Sequence, residues 1–105
     1  MVRNDRVIWA ACMVACGDAD GAVTGNTRRF GSSFDKVTQV VDARPGEIMF
    51  GLNMVVAKGK TIFVGDTSVN EYPSSEELAE IAISSARVVK MFGFVPKVAF
   101  VSHST

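Results

Sequence analysis

Gly17-Asp-Ala-Asp-Gly-Ala-Val-Thr-Gly25-Asn-Thr-Arg-Arg-Phe30 is the stretch on which the reading of this chain turns. Two carboxylates, three glycines, two threonine hydroxyls and two adjacent arginines are packed into it. Glycine lets a ligand approach the backbone closely. Adjacent Arg28 and Arg29 suit phosphate or carboxylate groups, because the guanidinium fork matches their oxygens. Gly21-Ala-Val-Thr24 reads as a short buried strand, and the remainder as the turn that leaves it.

The flanks of this stretch read as helices. Residues 4–16 carry a wide apolar face of Val7, Ile8, Ala11, Cys12, Val14 and Ala15, with Asn4 as the expected cap and Gly17 as the stop. Ser32 or Ser33 is expected to cap a second helix bearing Phe34, Val37, Val40 and Val41. Ala43-Arg-Pro-Gly46 is a turn. The run from Ile48 to Ala57 suits a central strand, with Gly51 marking a bend or a close approach. Lys58-Gly59-Lys60 is a tight turn and Thr61–Gly65 the next strand, so the two strands can form a hairpin. Pro73-Ser-Ser-Glu-Glu77 is a strong helix start, with capping-box spacing from Ser74 to Glu77 and two acids in the first turn. The helix over 75–92 presents Leu78, Ile81, Ala82, Ser85, Val89 and Phe92, and Gly93 and Pro96 end it. Lys97 to Ser102 reads as a buried, parallel strand. Helices and strands therefore alternate in the α/β manner. A domain that stops after such a strand lacks the helix that would cover it, so the chain is expected to be a fragment of something longer.

Bulk properties narrow the function. At 105 residues there is room for one domain with a modest core. Eleven basic and eleven acidic residues cancel, which argues against a nucleic-acid partner and mildly against high solubility. No apolar run approaches the roughly 20 residues a membrane span needs, and the N-terminal segment does not resemble a signal peptide. Cys12 and Cys16 fall one turn apart on a helix face; with His103 as the only histidine, free buried thiols are a better reading than a metal pair.

Four blocks in order resemble the phosphate acetyltransferase (phosphotransacetylase) family. They are Asp18–Gly25, Thr61–Asn70, Ser75–Ala86 and Phe92–Thr105. The chain departs from stand-alone transferases after the Thr-Gly pair. Those usually continue with Ala-x-His, a hydroxyl pair and then Thr-x-Arg-Pro. Here Asn26-Thr-Arg-Arg-Phe30 follows, Arg29 and Phe30 replace the hydroxyl pair, and Asp35-Lys36 stands at the Arg-Pro position. Thr-Gly-x-Thr-Arg, Asp42–Gly46 and Val64–Thr67 look like the transferase-like C-terminal domain fused to bacterial NADP-dependent malic enzymes.

The resemblance implies a three-layer α/β sandwich with a mostly parallel sheet, like isocitrate and isopropylmalate dehydrogenases. Residues 1–105 would be a piece of that domain, mainly its second lobe. The family's Ser-Arg catalytic motif is absent, so no catalytic residue is assigned. In the malic enzyme subgroup the domain is implied to be a regulatory and oligomerisation module that responds to acetyl-CoA or a related CoA ligand. This piece would hold no cofactor; NADP and a divalent metal would belong to the parent's malic enzyme part. A cytoplasmic homo-oligomer with neither nucleic-acid nor membrane partners is expected.

Asp20, Thr27, Arg28, Arg29, Asp66, Ser104 and Thr105 are the candidate ligand-binding residues, for acetyl-CoA or phosphate. Each has a plainer alternative. Asp18 and Asp20 can serve as backbone acceptors in the turn, and the arginines as surface or interface charges. Asp66 follows a strand end, where sites collect in α/β folds; Asn70 reads rather as part of the turn before the next helix. Ser104 and Thr105 can cap a helix. His103 has no triad partner nearby.

Overall fold

The computed structural model describes residues 5–101. They comprise, in order, α1 (Arg6–Ala15), α2 (Phe30–Thr38), β1 (Leu52–Ala57), β2 (Lys60–Gly65) and α3 (Ser75–Met91). The fold is α/β, and the sheet of the described residues is one antiparallel pair. The chain divides into two compact units, Met1–Ala43 and Arg44–Thr105.

In the first unit, Asp5 caps α1 where Asn4 was expected. Its Oδ1 accepts from the backbone N–H groups of Val7 at 2.9 Å and Ile8 at 3.2 Å. Asp5 also pairs with Lys36 of α2 at 2.7 Å. The Lys36 hydrogen bond, followed by the Ile8 amide, holds this carboxyl below its ordinary range. Val7, Ile8 and Ala11 are buried on one face of α1, while Trp9, the chain's one tryptophan, is about half exposed at 53%. Cys12 is partly covered, and Cys16 is exposed rather than buried because it lies at the helix end.

The second helix begins earlier than expected. Neither Ser32 nor Ser33 caps it; Arg29 is the N-cap and makes no side-chain cap bond. Phe30 and Phe34, one turn apart, stack with ring centroids 5.5 Å apart. That i, i+4 contact favours adding the extra turn. Ser33 is thereby carried to the buried face, and its hydroxyl has no partner among the described residues.

Gly21–Thr24, expected as a buried strand, forms no ladder among the described residues, and Val23 is fully exposed. An isolated extended run needs a neighbour to become a strand, and none of the described residues supplies one.

The second unit contains the hairpin. β1 pairs β2 in the register Leu52↔Gly65 to Ala57↔Lys60. Lys58 and Gly59 both adopt positive φ, 51° and 73°, as a two-residue turn of the hairpin-favouring type requires. The ladder starts at Leu52 rather than at Ile48. β2 stops at Gly65, so residues 48–51 have no opposing strand and are tied instead to the following loop.

α3 forms as read. Ser74 and Glu77 make the reciprocal capping box. At the other end Gly93 has φ of 88°. Its N–H reaches Lys90 O at 2.9 Å, and the Phe94 N–H reaches Val89 O at 3.3 Å, which is a Schellman ending. Ile81 and Val89 are the buried apolar residues of α3. Phe63 of β2 meets Phe92 and Phe94 at centroid distances of 5.8 and 5.9 Å.

Lys97–Val101, expected as part of a buried parallel strand, has no ladder partner. Val98, Phe100 and Val101 are 56%, 61% and 92% exposed. Ser102 lies outside the described residues.

Candidate functional site

The most fully built local structure is the loop after β2. Asp66, half-buried, directs its Oδ1 at three backbone amides: Gly51 at 2.9 Å, Ser68 at 3.2 Å and Val69 at 3.1 Å. Its Oδ2 accepts from the Asn70 backbone at 2.8 Å and from the Asn70 side chain at 2.6 Å. The Asn70 amide also donates to Met49 O at 2.8 Å. One carboxylate and one carboxamide thus clamp loop 66–70 to residues 49–51. Burial alone would raise the Asp66 pKa, but the Gly51, Ser68 and Val69 amides and the Asn70 side chain outweigh it, and the net shift is downward.

Gly51 is where the clamp closes. A Cβ there would lie 3.1 Å from Asp66 Oδ1 and 3.7 Å from Thr67 Oγ1, so the expected close approach is real. On its outer side the loop presents Thr67 Oγ1, bonded to Asn53 Oδ1 at 2.8 Å and to Ser68 Oγ at 3.1 Å. These hydroxyls at the carboxyl end of β2 are exposed. Sequence reading named Asp66 and passed over Thr67, Ser68 and Asn53. The Asp-Thr-Ser run was the available signal, since hydroxyl residues after an aspartate commonly form such turns.

Asp66 therefore has its acceptor capacity taken up by the protein itself. It shapes the loop that could meet a ligand, rather than offering a free carboxylate. Asn70 likewise belongs to the turn before α3, as read.

The other described candidates lie in the first unit, within one exposed stretch. Asp20, Thr27, Arg28 and Arg29 are all exposed. Gly25 at φ 118° and Asn26 at φ 65° make a sharp reversal, closed by Thr27 N–H to Gly25 O at 2.8 Å. Among the described residues, neither arginine has an ion-pair partner. The carboxylates of Asp18 and Asp20 accept no hydrogen bond there either, so the expected role as backbone acceptors is not seen. The reversal places two guanidinium groups in water at the start of α2, a geometry open to an anionic ligand.

Ser104 and Thr105 lie outside the described residues, as does His103. No group of three or more His, Cys, Asp or Glu side chains comes together among the described residues. No helix there is long and apolar enough to cross a membrane.

The family described as phosphate acetyl/butaryl transferase matches residues 1–105. The chain belongs to this family. Among its relatives is the NADP-dependent malic enzyme of Rhizobium meliloti, 43% identical over 100% of this chain and 14% of that protein. A probable NADP-dependent malic enzyme of Rickettsia prowazekii is 38% identical over the same shares. The phosphate acetyltransferase of Nitratidesulfovibrio vulgaris is 35% identical over 99% of this chain and 15% of its own length. The chain thus spans about a seventh of the relatives it matches, and corresponds to part of their transferase-like domain.

Proposed function

We propose that this chain is part of the regulatory and oligomerisation domain of an NADP-dependent malic enzyme, and that the domain responds to acetyl-CoA without catalysing acetyl transfer. The observation that carries this reading is the exposed Asn26-Thr-Arg-Arg turn. Arg28 and Arg29 stand there as two guanidinium groups with no ion-pair partner among the described residues. A CoA ligand brings phosphates, which arginine holds through paired charge-assisted hydrogen bonds. Thr27 would add a hydroxyl donor beside them. Identities of 43% and 38% to malic enzymes support the same placement.

In this reading the parent oxidatively decarboxylates malate to pyruvate. NADP and a divalent metal serve that step in a part of the parent outside these residues. Acetyl-CoA or a related CoA compound acts through subunit contacts of a cytoplasmic homo-oligomer, a coupling between distinct sites. The complete domain is a three-layer sandwich with a mostly parallel sheet, to which this chain contributes mainly the second lobe. Neither nucleic acid nor membrane is a partner.

A second reading, an active phosphate acetyltransferase, is favoured by the 35% identity to a relative of that name. There the CoA thiolate would attack the acetyl carbonyl of acetyl phosphate. Phosphate would leave, and positive groups would stabilise the developing charge.

Malate-dependent NADP reduction by the intact parent, with and without acetyl-CoA and beside a transferase assay, separates the two. A changed malate rate with no acetyl transfer is the expected result. Unchanged malate kinetics at saturating acetyl-CoA would sink the regulatory reading, and acetyl phosphate formation would establish the second.

A further inference from the structure

From Gly21 to Phe34 the only charged side chains are Arg28 and Arg29, so no acid within that run neutralises the pair. Phe30 follows them directly, as the first residue of α2. It is 55% exposed, although so large an apolar side chain gains by burial. The ring is nevertheless held. Phe34, half-buried one turn further on, stacks against it with planes 15° from parallel and centroids 5.5 Å apart. Phe34 covers one face and fixes the orientation of the ring. The exposure of Phe30 leaves the opposite face to a planar group.

These features are contiguous. Successive Cα atoms lie about 3.8 Å apart, so both guanidinium groups start within two residues of the ring. A ligand that engages all three side chains carries a planar aromatic group with closely spaced anions beside it. An acidic peptide would meet the arginines but leave the ring face without a planar partner. A long polyanion needs a wider field of positive charge than eleven basic residues balanced by eleven acidic ones provide. A nucleotide has the required form, with a base and, one ribose away, its phosphates.

We propose that Phe30 is the stacking platform for the adenine base of the CoA ligand, with Arg28 and Arg29 on the phosphates of the same nucleotide. This rests on the reading of the Asn26–Arg29 turn as the CoA site. It adds that the nucleotide end of the ligand, not the acetyl end, carries recognition there. Adenine lies on the open face of Phe30 and extends the Phe34–Phe30 pair to three rings. Stacking of this kind tolerates any base, so the arginines set the preference. Phosphates at both the 3′ and 5′ positions engage both guanidinium groups, whereas a single 5′-phosphate engages one.

Calorimetric titration of the intact parent with adenosine 3′,5′-bisphosphate tests this. The bisphosphate is expected to bind and to be displaced by acetyl-CoA. Acetyl-pantetheine, which lacks the nucleotide, is expected not to displace it. Phe30→Ala should weaken binding about 5- to 150-fold, the worth of one base–aromatic stack. That variant also removes the contact with Phe34, so two others complete the series. Phe30→Leu keeps an apolar side chain but has no π face, and should weaken binding at least about 5-fold. Phe30→Trp should bind at least as tightly as the wild type. No binding of the bisphosphate, displacement by acetyl-pantetheine, or failure of acetyl-CoA to displace it would overturn the proposal. Equal affinity of the wild-type and leucine forms would overturn it too, even where malate oxidation still answers to acetyl-CoA. Malate oxidation that ignores acetyl-CoA, beside Phe30-dependent binding of the bisphosphate, would sink the regulatory reading alone and leave the nucleotide site standing.

Discussion

The Asp66 carboxylate accepts from the Gly51, Ser68 and Val69 amides and twice from Asn70. Hydrogen bonds to a charged group are worth about 1.5–3 kcal/mol each, and donors left unsatisfied add to the loss. In the parent, Asp66→Ala should therefore speed exchange of the Gly51 and Val69 amides about 10- to 100-fold. Rates like those of the wild type would show that the clamp contributes little. The downward pKa shift also fixes the sign of the pH response. A carboxylate whose folded pKa is depressed contributes fully above its unfolded value, about 3.9, and loses that contribution as pH falls through the folded value. Protection at Gly51 should accordingly persist at pH 5 and fail only below about pH 3.9, the unfolded value; failure already at pH 5 would contradict the downward shift. Arg28 and Arg29 act at the same scale with the opposite charge. Arg28→Ala should weaken the acetyl-CoA response of malate oxidation about 10-fold or more, the worth of one charge-assisted bond, while basal malate oxidation stays unchanged. An unaltered response would move the ligand away from this turn.

Elements whose signals are local were legible in the sequence. α3 announced itself through Pro73, the Ser74–Glu77 capping box and Gly93, and each took the expected part. Removing the cap hydroxyl with Ser74→Ala should cost about 1 kcal/mol of helix stability. Hydrogen exchange over residues 76–80 reads this, and no change there would mean that packing alone holds the first turn. The hairpin was equally readable, because Lys58-Gly59 sets both turn and register. Gly21–Thr24 and Lys97–Val101, read as buried strands, form no ladder among the described residues for the opposite reason. Extended propensity lies in the segment, but a ladder needs a partner far away in sequence, and none stands beside them among the described residues. The second helix was misplaced because serine capping preference lost to the Phe30–Phe34 stack. The candidate site shows the same division. Asp66 was named from its place at a strand end, whereas its saturation by Gly51 and Asn70 depends on residues brought together by folding.

Across the whole molecule, burial is thin. Val7, Ile8 and Ala11 in the first unit, with Ile81 and Val89 in the second, are the buried apolar residues among those described. Val55, Ile62 and Val64 lie exposed on the hairpin, and Val98, Phe100 and Val101 beyond α3. Apolar surface of this extent marks an interface or a liability, and zero net charge offers no repulsion against association. The isolated 105-residue chain is therefore expected to bind a hydrophobic dye and to sediment as concentration-dependent oligomers. A dilute monomer that leaves the dye dark would refute this. The half-exposed Trp9 has a different use. The only indole lies in the first unit and the only phenol, Tyr72, in the second. Light absorbed by indole alone therefore reports on α1 and its surroundings, while backbone circular dichroism samples both units. Melting curves recorded in the two signals would separate the units without a label, and their spacing would tell whether this piece unfolds in one step or two.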